Sequence, residues 1–415
     1  MKELSKTFCV YPWVHQMVET NGDVKLCCIA ESPTLKESGQ HMNINKHKLS
    51  ELWNDPYMQS VRQRMLDGKQ VKDCGQCMRK EREGEKSMRQ IINPGWQVDN
   101  ANLFVKTLPK YLDLRFGNLC NLRCRMCTGM YSSELGQELE SIRQTNKDFQ
   151  KMYPDSLEYP VYDWSNDQTF WSDLEKYIPY IEIIYLTGGE PTLVQGNYDF
   201  LQKLIDVGVS KNIVITFNTN VTNFQQRFLD IIGHFAKVRL ALSIDGTGGV
   251  QEYIRFPSKW KAIQNNIQKL LEHVKDANNK FELSFAPAIS ILNVANFNDY
   301  INWSYNIADQ HQYDNLVWDM DPSRVHGPEF QDIWHATKEY RQISLTKLKS
   351  VQTKSIEFFP SLQNFYNEII TCLESNYHDH AEANRKSLKI WNDSIDKKRR
   401  INIKDYIPYS EAIYG

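Results

Sequence analysis

Long apolar runs, a charge imbalance and a secretion signal are all missing from this sequence. No apolar run in the 415-residue chain approaches the ~20 residues that a membrane-spanning helix needs. The formal net charge is −2, so the chain has no overall attraction to nucleic acid or to an anionic membrane surface. The N-terminal stretch MKELSKTFCVYPWVHQ contains polar residues and Pro12, and it therefore lacks the apolar core of a signal peptide. We expect a cytoplasmic protein that binds neither membranes nor nucleic acid.

The chain has nine cysteines, which a reducing cytoplasm would keep from forming a disulfide framework. They occur as an N-terminal group, a central group and one isolated residue: Cys9, Cys27, Cys28, Cys74 and Cys77; Cys120, Cys124 and Cys127; and Cys372. Clustered thiols in an intracellular protein indicate a metal site or redox chemistry.

Short apolar strands alternate with amphipathic helices from Tyr111 onward. The predicted strands are Tyr111–Phe116, Ile181–Leu186, Ile213–Phe217, Val238–Ile244, Leu283–Ile289 and Leu316–Met320. The predicted helices are Ser133–Arg143, Phe170–Tyr177, Tyr198–Val207, Phe224–Phe235, Trp260–Val274 and Asp299–Ala308. This alternation indicates an α/β fold of parallel βα units, whose chemistry gathers at the carboxyl ends of the strands. Six repeats are too few for a closed eight-stranded barrel, so we expect a partial, open (β/α)6 barrel.

Four regions follow from these patterns. We expect a loop-rich cysteine domain over residues 1–92, a linker over 93–110, the partial barrel over 111–325 and a charged helical region over 326–415. In the first region, apolar residues at near-helical spacing predict one regular element, a helix over Lys48–Leu66.

The central cysteines have the spacing Cys120-x3-Cys124-x2-Cys127 and directly follow the first predicted barrel strand. Soft thiolate ligands suit iron–sulfur clusters, and three thiolates leave one iron of a [4Fe–4S] cluster without a protein ligand. An open metal position usually binds a substrate or cofactor. The alternative is a structural zinc site, although its usual pairs of C-x2-C do not fit three cysteines.

This motif resembles the signature of the radical SAM superfamily. The resemblance implies that the open iron chelates S-adenosylmethionine and that an electron donor such as flavodoxin or ferredoxin reduces the cluster. It also implies that the cofactor is cleaved and that the resulting 5′-deoxyadenosyl radical abstracts a substrate hydrogen.

The resemblance extends to Thr187-Gly188-Gly189-Glu190-Pro191, which ends the second predicted strand and matches the family's GGE motif. Gly188 and Gly189 let the backbone approach a ligand closely, and Glu190 can accept a hydrogen bond from the cofactor's ammonium group.

Four further residues lie at strand ends where relatives position the ribose and the methionine carboxylate: Asn218, Asn220, Ser243 and Asp245. Arg255 is either a partner for the cofactor's carboxylate, through bidentate pairing, or a surface cation. Met126 stands where many relatives carry an aromatic residue, and its thioether can pack against adenine.

The N-terminal cysteines follow the pattern Cys9-x12-Gly22-x4-Cys27 and Cys74-x2-Cys77. This pattern resembles the twitch domain, the shortened form of the SPASM domain, although relatives generally place that domain after the barrel. The resemblance implies a second, auxiliary [4Fe–4S] cluster with four thiolate ligands; a tetrahedral zinc site is the alternative. A glycine before the second cysteine suits a tight hairpin. Cys28 is either a small packed hydrophobe or a replacement for Cys27 as a ligand.

Three residues are candidates for the chemistry at the substrate. Asp319 and Asp321 end the sixth predicted strand, where a base could deprotonate substrate, or either could cap the next element. Cys372 lies in an apolar helical segment and is either a buried thiol or a hydrogen-atom donor, as in some radical SAM epimerases.

The resemblance therefore implies hydrogen abstraction from an unactivated C–H bond. We expect oxidative modification of a peptide or protein side chain, with dehydrogenation or epimerisation of a sugar-like alcohol as the alternative. A non-catalytic iron–sulfur or zinc protein is the competing class, but it has no need for GGEP and SIDG sequences at strand ends.

Overall fold

The computed structural model describes residues 5–35, 38–82, 84, 86–97, 102–157, 159–375 and 380–415. Its strands are β1 (His15–Val18), β2 (Val24–Lys25), β3 (Tyr111–Leu114), β4 (Ile183–Leu186), β5 (Val214–Thr219), β6 (Lys237–Leu242), β7 (Lys280–Phe285), β8 (Ala288–Ile289), β9 (Leu316–Met320) and β10 (Ser323–Arg324). Its helices are α1 (Tyr11–Val14), α2 (Leu49–Trp53), α3 (Pro56–Leu66), α4 (Gly75–Arg82), α5 (Met88–Ile92), α6 (Ser133–Thr145), α7 (Lys147–Met152), α8 (Gln168–Leu174), α9 (Gln195–Asp206), α10 (Gln226–Ile232), α11 (Gly248–Ile254), α12 (Trp260–Asp276), α13 (Phe297–Gln310), α14 (Lys338–Phe358), α15 (Leu362–Glu374), α16 (Ala381–Arg399) and α17 (Ser410–Tyr414). None of these helices is both long and apolar enough to cross a membrane.

Eight strands form one sheet in the order β2-β1-β3-β4-β5-β6-β7-β9, and β10 pairs with β8 in a second, two-stranded sheet. The pairs β1–β3, β3–β4, β6–β7 and β7–β9 are parallel. All six predicted barrel strands are present, and the fifth is interrupted between Phe285 and Ala288. The mostly parallel α/β fold expected from the sequence is confirmed.

The N-terminal region contains a strand that the sequence patterns did not predict. β1 pairs in parallel with β3, in a register that runs from His15 opposite Tyr111 to Val18 opposite Leu114. All four of its side chains are buried, so this short strand has no alternation of polar and apolar residues to reveal it. The prediction of one regular element in this region is therefore wrong.

The helix predicted over Lys48–Leu66 is two helices, α2 and α3. The break comes at Asp55, whose side chain accepts a hydrogen bond from the backbone N–H of Tyr57 and caps α3, and at Pro56, the first residue of α3. Proline has no N–H to donate to the preceding turn and is favoured at the first position of a helix.

The chain divides into two compact units. The first comprises Met1–Asn118, Tyr162–Thr216 and His234–Ala236, and the second comprises Leu119–Val161, Phe217–Gly233 and Lys237–Gly415. Each unit combines segments that are distant in sequence. The units therefore do not test the predicted domain boundaries at residues 92, 110 and 325, which stay a prediction. Residues 98–101 of the predicted linker lie outside the described residues.

In the first unit, β3 has one apolar face and one charged face. Leu112 and Leu114 are fully buried on one side. On the other side, Arg115, just after the strand, pairs with Glu19 at 3.2 Å and with Asp113 at 3.4 Å. Burial raises the pKa of Asp113 to about 6, although Arg115 opposes the rise. The unit therefore contains a buried ion-pair network beside β1.

In the second unit, α12 has a continuous apolar stripe: Ile263, Ile267, Leu270, Leu271 and Val274 are all buried. This three-and-four spacing is that of an amphipathic helix packed on a core. The region after residue 326 forms α14 to α17, as the sequence predicts.

Candidate functional site

The four N-terminal cysteines with the twitch-like spacing line one cavity of the first unit. Cys9 precedes α1, Cys27 follows β2, Cys74 ends a short 3₁₀ turn and Cys77 lies in α4. The cavity has a volume of about 30 Å³ and is otherwise lined mainly by apolar side chains. The neighbouring Cys28 is exposed and does not line this cavity, so the interpretation of Cys28 as a packed hydrophobe is wrong; replacement of Cys27 by Cys28 stays a prediction.

A tight hairpin brings the chain back toward this cavity. β1 and β2 are antiparallel, and Gly22 between them has φ +85°, in the left-handed region that favours glycine. The N–H of Gly22 donates to the carbonyl of Glu19 at 2.9 Å. A Cβ atom at Gly22 would lie 2.5 Å from Nδ2 of Asn45. The hairpin predicted from the glycine is confirmed.

The electrostatics of the four thiols suit a positively charged occupant. Burial raises the pKa values of Cys9, Cys27 and Cys74 to about 12 each. Repulsion among the thiolates adds to the rise, because the charges of Cys27 and Cys77 act on Cys9 and those of Cys9 and Cys77 act on Cys74. An iron–sulfur core would offset both effects because its thiolate ligands are deprotonated by coordination, so the residues present fit such a group.

The central cysteines belong to the second unit. Cys124 is buried, and Cys120 and Cys127 are half-buried. Burial raises the pKa values of Cys124 and Cys127, that of Cys127 to about 12 with a further rise from the charge of Cys124. The backbone N–H of Leu122 donates to Sγ of Cys120 at 3.4 Å. These sulfurs likewise suit a cationic cluster.

A pair of charged residues lies against this loop. Asp245 accepts hydrogen bonds from Arg255 at Nε (2.6 Å) and Nη2 (3.0 Å), and also from the N–H of Ala288 at 2.8 Å. The remaining nitrogen, Nη1, donates toward Sγ of Cys124 at 3.9 Å. The Arg255 side chain is 12% exposed, so the surface-cation alternative is wrong.

Residues at the end of β5 make a second set of contacts with the loop that carries the central cysteines. Asn220 donates through Nδ2 to Oδ1 of Asn121 at 3.0 Å and lies 3.9 Å from Sγ of Cys120. The next residue, Val221, has φ +64°, a costly conformation for a β-branched side chain. Sequence reasoning missed Asn121, although its position next to a cysteine of the motif was the available signal.

The GGE motif lies in the first unit, where β4 ends. Gly188 has φ +113°, and a Cβ atom there would lie 2.8 Å from the carbonyl oxygen of Gly117. The N–H of Gly189 donates to that same oxygen at 3.0 Å. Glu190 is buried, and its Oε1 accepts from the N–H and the hydroxyl of Thr192 at 3.2 and 2.7 Å. Gly188 is thus required by close backbone approach.

The remaining predicted residues are all in the second unit. Met126, Asn218 and Ser243 are half-buried. Asp319 accepts from the hydroxyl of Ser361 at 2.8 Å, while loss of solvent and the charge of Asp319 raise the pKa of Asp321.

Cys372 is buried in α15. Nη1 of Arg324 donates to its sulfur at 2.6 Å, and the indole N–H of Trp334 also donates to it. Burial raises the pKa of Cys372 to about 11. The buried thiol predicted from the apolar helix is present; a role as hydrogen-atom donor stays a prediction.

The solved structures that match the chain share little sequence with it. A native anSMEcpe structure with bound AdoMet is 15% identical to this chain. The match covers 58% of this chain and 60% of that one, with a TM-score of 0.37. SuiB from Streptococcus suis, bound to precursor peptide SuiA, is 10% identical to this chain. The match covers 68% of this chain and 60% of that one, with a TM-score of 0.34. The radical S-adenosylmethionine methyltransferase TsrM from Kitasatospora setae is 9% identical to this chain. The match covers 50% of this chain and 36% of that one, with a TM-score of 0.32. The chain thus spans between about a third and three fifths of these proteins' lengths. No curated protein matches it.

Two family models match the chain at the two cysteine sites. Residues 114–287 match the radical SAM superfamily, and residues 9–78 match the iron–sulfur cluster-binding domain named SPASM. A radical SAM domain carries a [4Fe–4S] cluster and S-adenosylmethionine, and a SPASM domain carries auxiliary iron–sulfur clusters. The chain therefore contains a radical SAM domain over residues 114–287, with a SPASM-type domain ahead of it.

Proposed function

We propose that this protein cleaves S-adenosylmethionine reductively, abstracts a hydrogen atom from an unactivated C–H bond and oxidatively modifies a peptide or protein side chain. The observation that carries the oxidative part is the cavity lined by Cys9, Cys27, Cys74 and Cys77. Four thiols satisfy all four irons of a cubane cluster and leave none for a substrate. Such a cluster can accept an electron but has no open position to bind a substrate.

Seven of the nine cysteines form two proposed ligand sets. Cys120, Cys124 and Cys127 would hold the cluster that binds S-adenosylmethionine, and the four N-terminal cysteines would hold the auxiliary cluster. When bound, the first cluster and its cofactor supply the 5′-deoxyadenosyl radical, and the second cluster supplies an electron acceptor. A flavodoxin or ferredoxin is the proposed electron donor.

The protein's own residues orient this chemistry. Asp245 uses both carboxylate oxygens to hold Arg255, and Arg255 thereby directs Nη1 to Cys124. Buried charged groups held in this way are pre-organised and need no rearrangement during the reaction. Cofactor contacts by the predicted residues remain part of the proposal: Met126, Gly188, Gly189, Glu190, Asn218, Asn220 and Ser243.

An oxidation of this type removes one hydrogen atom, one electron and one proton from the substrate. With both clusters and the cofactor bound, the hydrogen atom would pass to the deoxyadenosyl group and the electron to the cluster held by the four N-terminal cysteines, and the proton would need a base. Asp321 is the proposed base because it is exposed directly after β9, and its raised pKa makes its carboxylate a stronger proton acceptor than an ordinary aspartate.

The test is an anaerobic assay of the reconstituted protein with a chemical reductant. Candidate peptides, and a sugar alcohol for comparison, are supplied with deuterium at the carbons that could be attacked. We expect 5′-deoxyadenosine that contains deuterium and a peptide that is 2 Da lighter when unlabelled. Deuterium transfer from a sugar alcohol and not from peptides would establish the alternative substrate class. Absence of deoxyadenosine with every substrate would overturn the proposal.

A further inference from the structure

The loop between the central cysteines is held from inside the protein by residues of the C-terminal region. Arg125, which lies between Cys124 and Cys127, has no exposed side-chain surface. Its Nε donates to the carbonyl of Tyr253 at 3.1 Å, and its Nη1 donates to Oδ1 of Asn392 in α16 at 3.0 Å. Its Nη2 donates to Asp396, one turn further along α16.

An arginine of α16 holds the residue on the other side of Cys124. Nη2 of Arg399 donates to the backbone carbonyl of Arg123 at 2.7 Å. The same guanidinium pairs with Glu138 of α6, with Nη2 at 2.6 Å from Oε2. Both of these side chains are almost fully buried. The residues before and after Cys124 therefore both contact α16.

The backbone on both sides of Cys124 is also hydrogen-bonded. The N–H groups of Arg123 and Arg125 donate to the carbonyls of Phe256 and Ile254 at 2.7 and 2.9 Å. The side-chain amide of Gln331 donates to the carbonyl of Arg125 at 2.6 Å. Because each of these groups has a partner, the segment that carries Cys124 is held in one conformation.

Asp396 is the central acceptor of this arrangement. Besides Arg125, it accepts from the hydroxyl of Tyr253 at 3.2 Å and from the N–H of Ile403 at 2.9 Å. A buried guanidinium is costly unless it is paired, so the loop loses its conformation when this carboxylate is removed. A buried ion pair is weak evidence for overall stability, whereas it can specify one geometry.

We propose that α16 is a positioning element of the three-cysteine site, acting through Asn392, Asp396 and Arg399 on the two residues that flank Cys124. The C-terminal region thereby determines whether this site holds its cluster, and it has no such effect on the four-cysteine site. The inference rests on the proposed ligand role of Cys120, Cys124 and Cys127.

The test uses the full chain, reconstituted anaerobically, with the auxiliary site as an internal reference. Two [4Fe–4S] clusters give about eight irons per chain. We expect Asp396→Leu to lose about half of the iron and to lose the change in the reduced cluster's electron paramagnetic resonance spectrum that S-adenosylmethionine causes. The matched control is Asp393→Ala, on the same helix, which breaks only the exposed pair with Lys389 and should leave both readouts unchanged.

A purely structural role would lower the melting temperature of Asp396→Leu yet leave its iron content and the cofactor-induced spectral change intact, and that result would overturn the proposal. If Asp396→Leu does not fold, Arg125→Lys decides the question, because lysine keeps the charge but cannot reach all three acceptors. A folded Arg125→Lys protein that retains both the iron and the spectral change would also overturn it.

The triple variant Cys120→Ala/Cys124→Ala/Cys127→Ala separates this proposal from the assignment of the ligands. Loss of half the iron in the triple variant, together with full iron in Asp396→Leu, removes only the positioning role. Full iron in the triple variant removes the ligand assignment itself.

Discussion

Arg255 lies with Nη1 3.9 Å from the sulfur of Cys124, and the rest of its guanidinium is held by Asp245. Hydrogen bonds to cluster sulfurs help to set the reduction potential, because a donor stabilises the more negative, reduced form. The pair therefore links a carboxylate at the end of one barrel strand to the electronic properties of the proposed cluster.

We predict that Arg255→Gln lowers the reduction potential of the three-cysteine cluster. The substitution removes a positive charge and the N–H directed at Cys124, so the reduced state loses stabilisation. A redox titration followed by electron paramagnetic resonance measures the effect. Lys259→Gln, which changes a mostly exposed cation that pairs with Glu252, serves as the control. Equal potentials in the two variants would contradict the prediction.

Glu190→Ala should weaken the binding of S-adenosylmethionine by roughly 1.5–3 kcal/mol, the usual cost of losing a hydrogen bond to a charged group. This corresponds to a dissociation constant about ten to a hundred times higher. Equilibrium binding to the reconstituted protein measures it. Glu182→Ala, which removes an exposed partner of Lys110, should bind the cofactor as the unmodified protein does. Unchanged affinity in Glu190→Ala would remove the cofactor-binding role of the GGE motif.

Cys372→Ala should leave turnover nearly unchanged if the reaction is oxidative. The sulfur of Cys372 is engaged by Arg324 and Trp334, which is the environment of a packed side chain. Product analysis by mass spectrometry, with 5′-deoxyadenosine measured in parallel, provides the readout. Deoxyadenosine formed without product, in a folded variant with both clusters, would show that Cys372 returns a hydrogen atom and that the reaction is an epimerisation.

Removing the auxiliary ligands should separate cofactor cleavage from product formation. In Cys74→Ser/Cys77→Ser we expect about half the iron, continued formation of deoxyadenosine and no oxidised product, because the electron from the substrate has no acceptor. Full product formation in this variant would mean that the four-cysteine site is not the electron outlet.

Asp113→Asn should change how stability depends on pH. The pKa of Asp113 is about 6 in the folded chain and about 3.9 when unfolded. The unfolded state therefore loses its proton first as pH rises, and the stability present at low pH is lost up to about pH 6. Relative to the unmodified protein, the variant should gain roughly 1–2 kcal/mol in the free energy of unfolding between pH 5 and pH 7.5. Urea titrations of the iron-free chains at both pH values test this; a constant difference would contradict it.

The barrel strands could be predicted from the sequence because each is a short, branched apolar segment before a turn, as at Val238–Ile244. The cysteine motifs could be predicted because their ligands are close in sequence. β1 could not, since its burial depends on β3, which lies more than ninety residues further along the chain. The partner of Arg125 could not either: Asp396 is 271 residues away, and no local pattern distinguishes a buried acceptor from the exposed acids beside it.

The position of β1 also predicts what happens to the sheet when the hairpin of β1 and β2 is lost. β1 pairs with the edge of β3 that would otherwise end the parallel sheet, and β2 in turn pairs with the outer edge of β1. A barrel deprived of this hairpin would present a row of unpaired amide and carbonyl groups, which is a template for strand addition from another molecule. We therefore expect damage to this hairpin to expose the edge of β3 and to appear first as aggregation.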